Sequence, residues 1–164
     1  MPFTISVSPL AGIPATTLYR MLWLRVQVFV VEQRAAYAEL DGRDIEPGSM
    51  HVWAQDGDDV LGTLRLLDEG ERWRIGRVVT SADARGRGVG AQLMERAVNE
   101  CGARDASRGI VLDAQEHLAD WYGRFGFRVD GEQFVEDAIP HVPMRRPSGA
   151  QTSQSPWSEP PSAG

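Results

Sequence analysis

The stretch Arg85-Gly86-Arg87-Gly88-Val89-Gly90 constrains this chain more than any other. It separates an apolar run that ends near Thr80 from a helical pattern that reaches about Cys101. The run Trp73 to Thr80 is rich in β-branched residues and bounded by charged or small ones, which predicts a buried strand. After the glycines, Val89, Leu93, Ala97 and Cys101 recur every four residues with Met94 and Val98 beside them, so an amphipathic helix is expected to pack that stripe on the sheet. Glycines at the mouth of a helix let backbone N–H groups approach an anion without Cβ interference, and the helix N-terminus adds partial positive charge. Arg85 and Arg87 add donors able to grip the same anion in a bidentate way. The loop therefore reads as a pyrophosphate cradle; the competing reading is a solvated turn whose glycines only fix the backbone.

Two nucleotide-binding alternatives fail on inspection. A dinucleotide fingerprint of the form Gly-x-Gly-x-x-Gly needs a glycine at 91, where Ala91 stands, and a Walker A loop needs a lysine, of which the sequence has none. A net charge of −6 argues against a general nucleic-acid or anionic-membrane surface. Cys101 is the single cysteine, which excludes an internal disulfide and a cysteine-pair metal site; its place on the apolar stripe favours core packing over nucleophilic chemistry. The most apolar stretch, Met21 to Val31, is interrupted by Arg25 and Gln27 and is too short for a bilayer, and no secretory leader pattern precedes it. A soluble, cytoplasmic protein without membrane or nucleic-acid partners is expected.

At 164 residues and 42% apolar content, one domain with one core is expected. Phe3 to Val7 alternates as a first strand, broken by Pro9, Gly12 and Pro14. A helix follows with Thr16 or Thr17 as N-cap, ending near Val31 or Glu32. The polar segment Glu32 to Gly48 reads as a solvated loop, or as carboxylates lining a pocket for a cationic amine. Met50 to Gln55 and Val60 to Leu67 form a hairpin whose loop, Asp56 to Asp59, is longer than two residues. Beyond the long helix, Gly109 to Ala114 reads as a central strand and Leu118, Trp121, Tyr122 and Phe125 as a helix closed by Gly126. Segments around Phe127, Phe134 and Val142 supply the last strands. The order predicts a three-layer α/β fold with a mainly antiparallel central sheet over residues 1–146. Residues 147–164, Pro- and Ser-rich with Trp157 as the one large apolar side chain, read as a flexible tail.

Arg85, Gly88 and Gly90 meet the pattern Arg/Gln-x-x-Gly-x-Gly/Ala, and Tyr122 to Phe127 meets Tyr-x-x-x-Gly-Phe. In both blocks the chain resembles the GNAT superfamily of acetyl-CoA-dependent N-acetyltransferases. The resemblance implies a sheet splayed between the strand before the glycine loop and the strand after the long helix, with acyl-CoA in the gap. It implies that backbone groups of Val78, Val79 and Thr80 hold the pantetheine arm. The pyrophosphate maps to Arg85, Gly86, Arg87, Gly88, Val89, Gly90 and Ala91. Gln115 stands where many members carry asparagine and is counted with the cofactor-binding residues; Ala82 stands where many carry proline. Tyr122 inherits the role of protonating the departing thiolate, since a phenol near 10 can serve a thiol near 8.5. Acetyl-CoA is the expected cosubstrate.

Leu24-Arg25, Val28 to Gln33, Asp41 to Asp44, Gly76 to Val78, Gln92 to Met94, Ala114-Gln115, Glu136-Asp137 and Ile139 to His141 are similar to the ElaA branch. Arg25, Phe29, Asp41 and Asp44 also resemble the first half of acyl-homoserine-lactone synthases. An acyltransferase of that kind, or a sensor domain that binds acyl-CoA without turnover, is the alternative to an N-acetyltransferase. Arg25 paired with Asp41 or Asp44 is either a brace or part of a substrate site. Glu32, Asp41, Asp44, Asp113 and His141 are candidates for the general base, with a water chain as the alternative. His51, His117 and His141 lack ligand spacing, so no metal is expected. The acceptor is expected to be a small-molecule or peptide amine; the oligomeric state, a homodimer included, is open.

Overall fold

The computed structural model describes residues 2–34 and 38–149. Residues 150–164, most of the expected tail and Trp157 with it, lie outside them. The elements are β1 (Thr4–Ser8), α1 (Ala15–Arg25), β2 (Met50–Asp56), β3 (Asp59–Asp68), β4 (Arg72–Thr80), α2 (Val89–Asp105), β5 (Gly109–Gln115), α3 (Ala119–Gly123), β6 (Arg128–Val129), β7 (Phe134–Glu136) and β8 (Ile139–Arg146). The sheet runs β1-β2-β3-β4-β5-β8-β6, with β7 also on β8, and every pairing but β4–β5 is antiparallel.

One face of the sheet packs against α2. Leu64, Leu66, Ile75, Ile110 and Leu112 meet Val89, Leu93, Met94, Ala97 and Cys101, the expected four-residue stripe, in one buried cluster. The other face carries α1, whose Met21 is buried with Ile13 and Trp53. Three layers follow, as the strand and helix order predicted.

The chain departs from expectation in four local ways. α1 starts at Ala15, because the Pro14 carbonyl already accepts from the Leu18 N–H at 2.9 Å; Thr17 is buried instead of capping. From Val26 to Glu32 the rod widens to a π-helical turn, in which the Gln33 N–H reaches back five residues to the Val28 carbonyl. The β2–β3 loop is a two-residue turn, Gly57-Asp58, because Asp56 and Asp59 still pair and a bulge between Ala54 and Gln55 absorbs the register. Finally, the polar segment after Glu32 is not simply solvated, since Glu39 and Asp44 are 4% and 6% exposed. Their burial is offset by arginines from α1 and the sheet.

Candidate active site

β4 and β5 pair only from Arg72–Gly109 to Arg74–Val111. Beyond that point the two parallel strands separate, and a cleft of about 800 Å³ opens between them. Its β4 wall runs from Ile75 to Thr80 and its other wall includes Leu112, Asp113 and Gln115. A bulge helps bend β4 away. Gly76 opposes Arg65 and Val79 opposes Thr63, so β4 carries one extra residue there, and Arg77 takes φ +52°. A bulge of this kind leaves backbone groups of the extra residue out of the ladder and bends the strand. A left-handed arginine costs roughly 1–3 kcal/mol and persists only where its surroundings hold it. Arg77 forms ion pairs with Glu39 and with Asp41 Oδ2 (3.3 Å), and its Nη2 donates to the Glu39 carbonyl oxygen at 3.3 Å.

The glycine loop stands at the open end of the β4 wall. Gly86 and Gly88 have φ +85° and +76°, values that side chains rarely take, and Gly88 caps α2 directly. The N–H groups of the first turn, Val89 to Ala91, have no intrahelical acceptors and point out along the axis. Val89 itself is a core residue at 1% exposure, so only its backbone is available. A Cβ at Gly90 would lie 3.3 Å from Trp121 Cζ2 and 3.5 Å from Thr80 Oγ1, so a side chain here would press on the Trp121 ring between loop and cleft. Arg85 reaches across the mouth to the π-helical turn: its Nη1 and Nη2 donate to the two Glu32 carboxylate oxygens at 2.9 and 3.0 Å. This contact holds the Glu32 carboxyl below its ordinary value. Ala91 faces a separate shallow depression with Glu95 and Phe125.

Tyr122 lines the cleft from α3 at 7% exposure. Its ring meets Trp121 edge-on at 4.9 Å, and Trp121 meets Phe125 at 5.1 Å, so the aromatic stripe positions the phenol. Burial pushes the Tyr122 hydroxyl up to about 12, which keeps it protonated at neutral pH.

The charged residues separate into two groups. Asp41, Glu32 and His141 line the cleft, as does Gln115, whose Nε2 donates to Gln33 Oε1 at 3.3 Å. Arg25 and Asp44 do not. Arg25, 2% exposed, donates to Asp44 at 2.7 and 3.1 Å and to Glu39 at 3.1 Å, while Asp44 also contacts His51 Nε2 at 3.0 Å. Of the two readings of Arg25, this geometry is that of a brace, tying α1 to the segment after it. Burial works to raise the Asp44 carboxyl, but the His51 and Arg25 hydrogen bonds outweigh it and hold the group below the usual carboxylate range. Asp41 accepts both Arg65 Nη groups at 2.8 Å and is held down to about 2 by that contact. A second network reaches the cleft unannounced by the sequence: Glu69 binds Arg43, Arg72 and Arg74, and Arg74 continues to Asp113 at 3.3 Å. The alternation of Arg72 and Arg74 on β4 was the available signal, but it does not reveal the partners.

An open three-layer sheet, a glycine loop at a helix N-terminus beside its gap and a buried tyrosine in the wall define an acyl-CoA-handling class of fold. A model of the acetyltransferase (GNAT) domain matches residues 23–147, and the chain belongs to that family. Among curated relatives, a UPF0039 protein of Mycobacterium tuberculosis is 45% identical over 145 residues, covering 85% of this chain and 90% of its own. ElaA of Escherichia coli is 39% identical over 132 residues, covering 79% and 86%; its crystal structure superposes with a TM-score of 0.84 over 88% of this chain and 99% of its own. An acyl-CoA N-acyltransferase from Pseudomonas aeruginosa, 41% identical, gives the same TM-score with the same coverage. The likeness to the ElaA branch and the GNAT-like fold are thereby shown.

Proposed function

We propose that the protein transfers an acetyl group from acetyl-CoA to a primary amine by direct attack within the β4–β5 cleft. The observation that carries this reading is the juxtaposition of the splayed strands, the Arg85–Gly90 loop and Tyr122 around one cavity. In this reading the backbone of Val78, Val79 and Thr80 receives the pantetheine arm as a further strand-like partner. The loop and the first turn of α2 receive the pyrophosphate, for which Arg85 leaves Glu32.

Tyr122 supplies the proton to the departing sulfur. With the phenol near 12 and a thiol ordinarily near 8.5, a free-standing transfer would be uphill by roughly 5 kcal/mol. Proton transfer therefore runs together with C–S cleavage, when charge is developing on sulfur, and does not precede it. The acceptor is a small-molecule or peptide amine, reached from the side of the cleft that carries Asp113, Glu136 and Asp137. No metal takes part in this scheme.

The test is incubation with acetyl-CoA and Nα-acetyl-lysine methyl ester, spermidine or a trialanine peptide, with products read by mass spectrometry. Acetylated amine is expected, and Tyr122→Phe should lower kcat by about 10²–10⁴-fold while leaving acetyl-CoA affinity unchanged. Undiminished turnover in that variant would remove Tyr122 from the mechanism.

A further inference from the structure

The hairpin of β7 and β8 contributes to the cleft a group that the scheme above leaves idle. His141 lies in register with Gln115 of β5 on one side and Phe134 of β7 on the other, and its ring stacks on Phe134 at 5.6 Å and 18°. Its Nδ1 is 2.8 Å from the carbonyl oxygen of Ile139. A carbonyl oxygen only accepts, so Nδ1 carries the proton; in the neutral ring, Nε2 then holds the lone pair. The ring is thus stacked, tautomerically fixed and set in the cleft wall, and its basic nitrogen makes no hydrogen bond among the described residues.

The register also fixes the side from which it acts. Residues directly opposite in an antiparallel pair share a face. Gln115 points to the α1 side, where it bonds Gln33, and His141 shares that side. Tyr122 belongs to the core cluster with Leu112 and Ala114 on the α2 side. Acid and base therefore approach the gap from opposite faces of the sheet, which suits a reaction in which sulfur leaves on one side and nitrogen arrives on the other.

We propose that His141 is the general base, and that the acceptor reaches it as an ammonium ion. The inference rests on the acetyl-transfer reading. Nε2 removes one proton from the ammonium, and the freed nitrogen lone pair forms the C–N bond at the thioester carbonyl. The C–S bond breaks with its electron pair on sulfur, which takes the Tyr122 proton. The amide nitrogen then sheds its second proton to the Tyr122 phenolate, directly or through water, and the His141 imidazolium releases its proton to solvent. The ionisable groups that share the cleft with the ring are Glu136 and Asp137 on its own hairpin, Asp113 of β5 with its partner Arg74 of β4, His117 after β5 and Tyr122 of α3, and on the far wall the pairs Glu32 with Arg85, Asp41 with Arg65 and Arg77, and Glu69 with Arg43. Glu136 and Asp137, which make no ion pair among the described residues, favour approach of a cation to the ring.

Two measurements test this. In ¹⁵N NMR of the unaltered protein, the His141 signals, assigned by their loss in His141→Gln, should report the Nδ1–H tautomer; an Nε2–H tautomer would overturn the assignment. In steady-state assays with the amines named above, His141→Gln should lower kcat/KM by about 10²–10⁴-fold, bind acetyl-CoA as the unaltered protein does, and lose the ascending acidic limb of the pH–kcat/KM profile. An intact limb in a variant that still binds acetyl-CoA would pass the role to a carboxylate or to water. Absence of transfer by the unaltered protein would overturn the underlying reading, and the base with it.

Discussion

Arg25 illustrates how a single residue can be drawn to two roles by its sequence and assigned one by its surroundings. An arginine near the apolar face of a helix is costly to bury alone, and here Asp44 and Glu39 accept four of its donor contacts, one of them through the Glu39 carbonyl. Removing the cation would leave two buried carboxylates short of the donors they share, Glu39 left with Arg77 and Asp44 with His51 and Arg65. Arg25→Met is therefore expected to cost about 3–5 kcal/mol of stability, on the order of 10 °C in Tm by calorimetry. A substrate role would instead raise KM at unchanged Tm. Cys101 is the opposite case, a residue whose place on the apolar stripe of α2 already gives its role in the core. It is buried on α2, and burial pushes its thiol up to about 12, far from nucleophilic use at neutral pH.

At the scale of elements, the segment 38–46 is held to the sheet by charge and not by apolar burial. Asp41 sits on Arg65 and Arg77, and Arg43 joins it to Glu69 of the β3–β4 turn. Asp41 is held down to about 2 by Arg65, and Glu69, despite its burial, to about 2 by Arg43, Arg74 and Arg72. Ordinary values are about 3.9 and 4.3, so on acidification the unfolded chain takes up protons first. Stability contributed by these carboxylates is complete above about pH 5 and is lost as pH falls through 4 towards 2. Tm measured from pH 7 to pH 2.5 should hold to about pH 5 and then drop, with a shallower drop in Asp41→Asn; a flat profile would contradict the brace. These contacts were the least legible part of the chain. β4 and β5 could be read because each is a short run of β-branched or apolar residues, and α2 because its apolar residues recur every four. An ion pair between residues 14 or 39 apart, such as Arg25–Glu39 or Arg74–Asp113, leaves no period at all. The two-residue turn at Gly57 was hidden for a similar reason: the bulge that accompanies it puts its extra residue at Leu61 of β3, away from the polar residues that suggested a longer loop.

At the scale of the whole molecule, the cleft exists because two parallel strands pair for three residues and then part, with the bulge at Arg77 bending one of them. Composition cannot show that separation; the Arg-x-x-Gly-x-Gly and Tyr-x-x-x-Gly-Phe blocks brought it into view by resemblance. Both blocks meet in space, since Trp121 beside the tyrosine closes on Gly90 of the loop. The central claim is that this gap holds acetyl-CoA, with its pyrophosphate at the loop. The most direct test is calorimetric titration of the protein and of Arg85→Ala with acetyl-CoA. Saturable binding at one site is predicted, weakened by about tenfold or more when the Arg85 donors are removed. No saturable binding, or equal affinity in the two proteins, would contradict the account.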